Sequence, residues 1–138
     1  MLDKLAPWMT TRRGPWTASE ALPGGEFDRS ERASELARLV QDYARLDKAF
    51  LTRLFARHGL LARAVLGAAR TPAELGTDFG GGLTQREVDY LVANEWAQSS
   101  DDILWRRTKC GLHMTAPQRA AFTAAFSASM DPQARLRA

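Results

Sequence analysis

At 138 residues, 45% of them hydrophobic and 25% charged, the chain has the makeup of one folded domain and not of a disordered segment. Such a domain buries roughly 65–70% of the surface its unfolded form exposes. Its longest uncharged stretch, 120–130, is interrupted by Thr123, Ser127 and Ser129 and falls short of the ~18–20 apolar residues that span a bilayer as a helix. The net charge of +3 and pI near 9.5 point toward nucleic acid, but the charge lies in blocks of −1 (1–28), +5 (29–70), −6 (71–105) and +5 (106–138); blocks of opposite sign in one domain pair with each other.

The N-terminus MLDKLAPWMTTRR lacks the apolar region of a secretory signal. LDKLAPWM reads as the last turns of an amphipathic helix, so Met1 is expected to stand inside a longer protein. Pro7, Gly14-Pro15 and Leu22-Pro23-Gly24-Gly25 then punctuate an extended lead-in up to residue 28, with Pro-Gly suited to a type II turn. Asp28 and Glu31 form a candidate capping box, followed at helical spacing by Ala33, Leu36, Ala37, Val40 and Ala44, which predicts a helix over 30–44. Asp47 caps a second helix bearing Phe50, Leu51, Leu54 and Phe55, and Gly59 stops it. A third is expected over 60–69.

Thr71-Pro72-Ala73-Glu74 places proline first and glutamate third in a short helical turn, and residues 76–82 read as a glycine-rich loop. Thr84 with Glu87 forms the strongest capping-box signal in the chain, with Leu83 and Val88 as its hydrophobic staple. Val88, Leu91, Val92 and Glu95-Trp96 carry that helix to a polar hinge, Gln98-Ser99-Ser100, where a serine with Asp101 or Asp102 begins the next. Ile103, Leu104 and Trp105 give it an apolar side, Arg106, Arg107 and Lys109 suit its negative end, and Gly111 is expected to close it. Thr115 with Gln118 starts a last helix lined by Phe122, Ala125, Phe126 and Met130 and ended by Asp131-Pro132. No window sustains period-two alternation. The fold class is all-α: about five to six helices over 29–138 behind an N-terminal lead-in over 1–28.

Catalytic chemistry is hard to find. Glycine-rich backbone before a helix can cradle phosphate, but Gly76–Gly82 lacks both GxGxxG and the GK[ST] ending, follows no predicted strand and leads into Glu87 and Asp89, so it reads as a turned connection. Cys110 and His113 have a metal-like spacing, but beyond His58 no second ligand pair exists. His58 is expected to face the C-terminal carbonyls of the second helix. Cys110 is the single cysteine and cannot form an internal disulfide, which fits a reducing compartment. The pair of helices around Gly59 could pass for a helix-turn-helix, but LLARAVLGAAR is a core sequence with little to read bases. Arg106, Arg107 and Lys109 could contact phosphate, anionic lipid or an acidic surface; the alternative is that they pair with Glu95, Asp101 or Asp102 and lock two helices around Trp96 and Trp105.

The run from Leu83 to Leu112, above all Glu95-Trp96-Ala97, Asp102 and Leu104-Trp105-Arg106-Arg107-Thr108-Lys109 before Gly111-Leu112, resembles the C-terminal domain of FAD-dependent (aerobic, respiratory) glycerol-3-phosphate dehydrogenases. Leu22-Pro23-Gly24-Gly25 with Phe27, Arg57-His58-Gly59, and Leu75-Gly76 with Asp78-Phe79-Gly80 extend the likeness, which covers most of 2–114. His58, where the family often has tyrosine, and Cys110 depart from it. The resemblance implies a parent flavoenzyme that oxidises sn-glycerol 3-phosphate to dihydroxyacetone phosphate, passes electrons to quinone, and sits in the cytoplasm, peripheral on the inner membrane. Glycerophosphate oxidase, which passes electrons to oxygen, fits equally. The flavin and substrate residues then lie upstream, and this domain carries no catalytic, cofactor-binding or metal residue. Its partners are the upstream FAD domain, a second copy in a possible homodimer and, for the parent, quinone and membrane surface, with no nucleic acid. Trp96, Trp105, Arg106 and Arg107 are expected to organise the domain, with Glu95 as ion-pair partner and Lys109 beside them. The competing readings are a free-standing basic domain that binds nucleic acid and a dimerisation module.

Overall fold

The computed structural model describes residues 7–8 and 18–130. The expected helix end around LDKLAPWM, apart from exposed Pro7 and Trp8, the Gly14-Pro15 break and the Asp131-Pro132 stop lie outside the described residues. Within them the fold is helical. A 3-10 turn (Arg29–Glu31) leads into α1 (Arg32–Asp42), followed by α2 (Lys48–His58), a second 3-10 turn (Gly59–Leu61), α3 (Ala62–Leu66) and a third (Pro72–Leu75). A short hairpin of β1 (Asp78–Gly80) and β2 (Leu83–Thr84) precedes α4 (Gln85–Asn94). A π-helical segment (Asp102–Arg107), a 3-10 turn (Cys110–Leu112) and α5 (Ala116–Met130) complete it.

Most starts use the expected chemistry. The amide of Ser30 donates to Asp28 and the amide of Asp28 donates to Glu31, closing the first capping box. Asp47 accepts from the Phe50 amide at 2.7 Å, Thr71 and Glu74 make a reciprocal pair, and Thr115 with Gln118 opens α5. At Thr84 the expected box does not form: its side chain caps nothing. Instead the Gln85 amide donates to the Thr77 carbonyl at 2.9 Å, and Glu87 is committed elsewhere.

Other differences have local causes. The third helix is only Ala62–Leu66, because Gly67 turns left-handed at φ 52. The loop over 76–82 contains the antiparallel hairpin, with Asp78 opposite Thr84 and a register shift before Gly80 opposite Leu83. Gly111 does not close the π-helical segment: Lys109 takes the left-handed position at φ 60. Glycine is required at 111 because a Cβ there would stand 2.7 Å from the Trp105 ring. Along α1, Leu39 and Tyr43 are buried with Leu36 and Val40 half-buried, while Ala33, Ala37 and Ala44 face outward; Ala125 on α5 is likewise exposed.

Two apolar clusters form. One gathers Leu39, Tyr43, Leu51, Leu54, Phe55, Val65, Leu66 and Leu75 from α1 to the third 3-10 turn. The other joins Leu83, Val88, Leu91, Ile103, Leu104, Cys110, Phe122 and Phe126 from the hairpin, α4, the π-helical segment and α5. Tyr90 packs against both. The lead-in is strapped onto the first cluster at one close crossing. Leu22-Pro23-Gly24-Gly25 makes the expected turn, with the Gly25 amide donating to Leu22 at 2.8 Å and Gly24 at φ 84. Gly24 then accepts from the Leu60 amide at 2.9 Å.

No side chain fits at that crossing. A Cβ on Gly59 would stand 1.9 Å from the Gly24 carbonyl oxygen, and Gly59 is itself left-handed at φ 56. Steric overlap and backbone strain therefore add. Gly59→Ala should lower the unfolding free energy by about 2–4 kcal/mol in urea denaturation, and a loss under about 0.5 kcal/mol would contradict the strapped lead-in.

Candidate functional site

A buried ionic centre lies where the two clusters meet. Glu87, fully buried on the first turn of α4, receives Arg57 Nε on Oε1 at 2.8 Å and Arg57 Nη2 on Oε2 at 2.7 Å. His58 Nε2 hydrogen bonds to the same Oε1 at 2.7 Å. Arg57 Nη2 also donates to the Gly82 carbonyl at 3.1 Å, so a single guanidinium holds helix α4 and the hairpin loop together. The Tyr90 ring meets His58 edge-on with centroids 6.0 Å apart. His58 therefore faces inward and does not serve the C-terminal carbonyls of α2 as the sequence suggested; Gly59 ends that helix and leaves the imidazole free to bind the carboxylate.

Sequence reasoning missed this centre. Arg57 and Glu87 are 30 positions apart, and each has a complete local explanation: Glu87 as a cap residue, Arg57 as a cation at a helix C-terminus. The signal that could have exposed it was an acid sitting two residues before Asp89 yet on the same helical face as Leu91. Both oxygens of Glu87 are occupied by donors from its own chain, so the group is a tie and not a free acid or base.

The motif-rich segment from Glu95 to Lys109 divides. Arg107, half-buried, donates from Nε to the Glu95 carbonyl at 2.7 Å and lies 3.9 Å from the Glu95 carboxylate, joining the end of α4 to the π-helical segment. Trp105 packs on the second cluster and against Gly111. Arg106 reaches only Asp102, one turn back on its own segment, at 2.8 Å and remains exposed. Lys109 Nζ folds onto the Trp105 carbonyl. Trp96 takes no part in a lock: it is 84% exposed, because its backbone at φ 56 turns the side chain outward. Asp102 accepts from the amides of Gln98 and Ser99 while its own amide donates to the Ser99 hydroxyl. The Gln98 amide first, then the Ser99 hydroxyl, holds its carboxyl below the usual value.

The remaining candidates belong to the packing. Beside the hairpin glycines stand the Gln118 side chain at Gly80, the Cys110 carbonyl at Gly81 and the Arg53 guanidinium at Gly82. Cys110 is fully buried, and that burial pushes its thiol above the ordinary value. No cluster of three or more potential metal ligands occurs among the described residues, and no helix among them is long and apolar enough to cross a membrane.

Residues 16–131 match the family described as the C-terminal domain of alpha-glycerophosphate oxidase. A glycerol-3-phosphate dehydrogenase of Pseudomonas aeruginosa is 41% identical over 118 residues, covering 86% of this chain and 23% of that protein. The aerobic glycerol-3-phosphate dehydrogenase of Escherichia coli strain K12 is 39% identical over 123 residues, with the same coverage. A D-erythritol 1-phosphate dehydrogenase of Brucella abortus is 37% identical over 113 residues, covering 82% of this chain and 22% of that protein. The chain thus spans less than a quarter of the length of these relatives.

Breaking a buried ion pair on one side strands the other charge and costs about 3–5 kcal/mol. Glu87→Gln should therefore destabilise the chain by an amount in that range, read from urea unfolding, while Arg57→Met with Glu87→Leu recovers much of the loss; a silent Glu87→Gln would contradict the centre. Asp102 acts through its charged form. Its depressed folded value means that its stabilisation is complete above the ordinary carboxylate range and lost as pH falls through the folded value. Asp102→Asn should flatten the acid limb of the stability profile and leave the slope above neutrality unchanged, and an unaltered acid limb would contradict the cap.

Proposed function

The chain belongs to the family of C-terminal domains of alpha-glycerophosphate oxidase, and on that premise we propose that it is the accessory helical domain of a flavoenzyme that oxidises sn-glycerol 3-phosphate to dihydroxyacetone phosphate. The observation that carries the reading is the match over 16–131 to a domain occupying only 23% of the dehydrogenases it resembles. The FAD, the substrate-phosphate contacts and the hydride-transfer geometry are assigned to the part of the parent preceding this domain, which is also its primary partner.

Two finer points belong to the same proposal. The electron acceptor is quinone or, as in glycerophosphate oxidase, oxygen, and the parent is a cytoplasmic protein peripheral on the inner membrane. Relatives named for glycerol 3-phosphate and for D-erythritol 1-phosphate both match this chain, at 41% and 37% identity, which supports assigning discrimination between polyol phosphates to the rest of the parent.

The gene's full-length product should purify with bound flavin and reduce an artificial electron acceptor when given sn-glycerol 3-phosphate. Residues 1–138 alone should be colourless and inactive. A yellow, active 138-residue chain, or a full-length product that oxidises no polyol phosphate, would contradict the proposal.

A further inference from the structure

We propose that Trp96 is the anchor through which this domain docks on the preceding part of its own polypeptide, an inference that rests on the accessory-domain reading above. A tryptophan is the wrong residue for where it stands. At the C-terminus of α4 the amides of Glu95 and Ala97 both donate to the Leu91 carbonyl, at 3.0 and 3.2 Å. Trp96, between the two donors, holds at φ 56 the left-handed position that follows a helix end and is usually filled by glycine. A side chain bearing a Cβ is disfavoured there, and a large indole left 84% exposed gains nothing from its own fold.

The conformation is imposed from both sides. Ala97, the next residue, is buried in the second cluster. Glu95, the residue before, has its carbonyl held by Arg107 Nε at 2.7 Å. With both neighbours fixed, the backbone of Trp96 cannot relax and the indole is held outward. Strain of this kind persists where surrounding structure over-determines it, and tryptophan is the residue type most enriched among interface anchors.

The occupant follows from length. The chain spans 23% of the relatives it matches, so the greater part of the parent lies outside it and requires a docking face. The segment presenting Trp96 is tied on both sides, through the Glu95 carbonyl and the Ala97 amide. The indole then inserts into an apolar pocket of the preceding region, with Arg107 acting as the positioning residue that sets its direction.

The test uses the full-length protein and the 138-residue chain in parallel, each as wild type and Trp96→Phe. The wild-type minus Trp96→Phe emission isolates this indole from Trp8, Trp16 and Trp105. In the 138-residue chain that difference signal should be red-shifted and freely quenched by acrylamide. In the full-length protein it should be blue-shifted, with quenching lost. Trp96→Gly should raise the melting temperature of the 138-residue chain by relieving the left-handed strain, and should speed proteolysis between the domain and the rest of the full-length protein.

Equal quenching in both contexts, in a full-length enzyme that oxidises polyol phosphate, would overturn the anchor while leaving the accessory-domain reading intact. Protection that appears only on adding anionic phospholipid vesicles, or that rises with protein concentration, would also overturn it, assigning the indole to a membrane surface or to a second copy. A full-length product without flavin or polyol phosphate oxidation would remove the accessory-domain reading, and this anchor with it.

Discussion

The structure depends on one buried carboxylate. Glu87 brings a negative charge into the seam between two apolar clusters, and it is tolerated there because Arg57 meets it with two hydrogen bonds and His58 with a third. The energetic logic is asymmetric. An assembled buried ion pair adds little over apolar packing, whereas an incomplete one is severely penalised. The centre therefore matters less for adding stability than for making wrong arrangements costly. Any packing of α2 against α4 that separates Arg57 from Glu87 leaves a charge in a dry interior. The hairpin is drawn in as well, since the Arg57 guanidinium also takes the Gly82 carbonyl.

The lead-in joins the same seam through Gly59, directly after His58. Its contact with Gly24 is so close that only hydrogen fits between the two backbones. The imidazole that completes the ionic centre and the glycine that receives the strap are adjacent because α2 must end there, and the left-handed turn at Gly59 lets it do so. A polypeptide entering through residues 22–27 thus arrives at a fixed place on the domain, as an accessory module needs if its orientation is to be set by its own fold.

Much of this was legible in the sequence, and the failures share a cause. Capping pairs within three residues of each other, such as Asp28 with Glu31 and Thr115 with Gln118, were found because their partners are local. The family marker around Trp105-Arg106-Arg107 was also readable. Glu87 has a good local role available to it as a cap residue, and only the three-dimensional fold brings Arg57 within reach. Trp96 differs from expectation for a similar reason: helical spacing continues through Glu95-Trp96, while the chain reverses at that residue and the Ala97 amide returns to the Leu91 carbonyl. The residues that unite the domain were the ones with persuasive alternatives nearby in sequence.

The two clusters form one cooperative unit because the ionic centre joins them. Urea-dependent native-state hydrogen exchange tests it directly. Amides of Leu54 and Phe55 in α2 and of Leu91 and Ile103 in the second cluster should converge on one opening free energy and one urea dependence, equal to those of global unfolding. Two separate isotherms, with one cluster opening while the other stays closed, would contradict it.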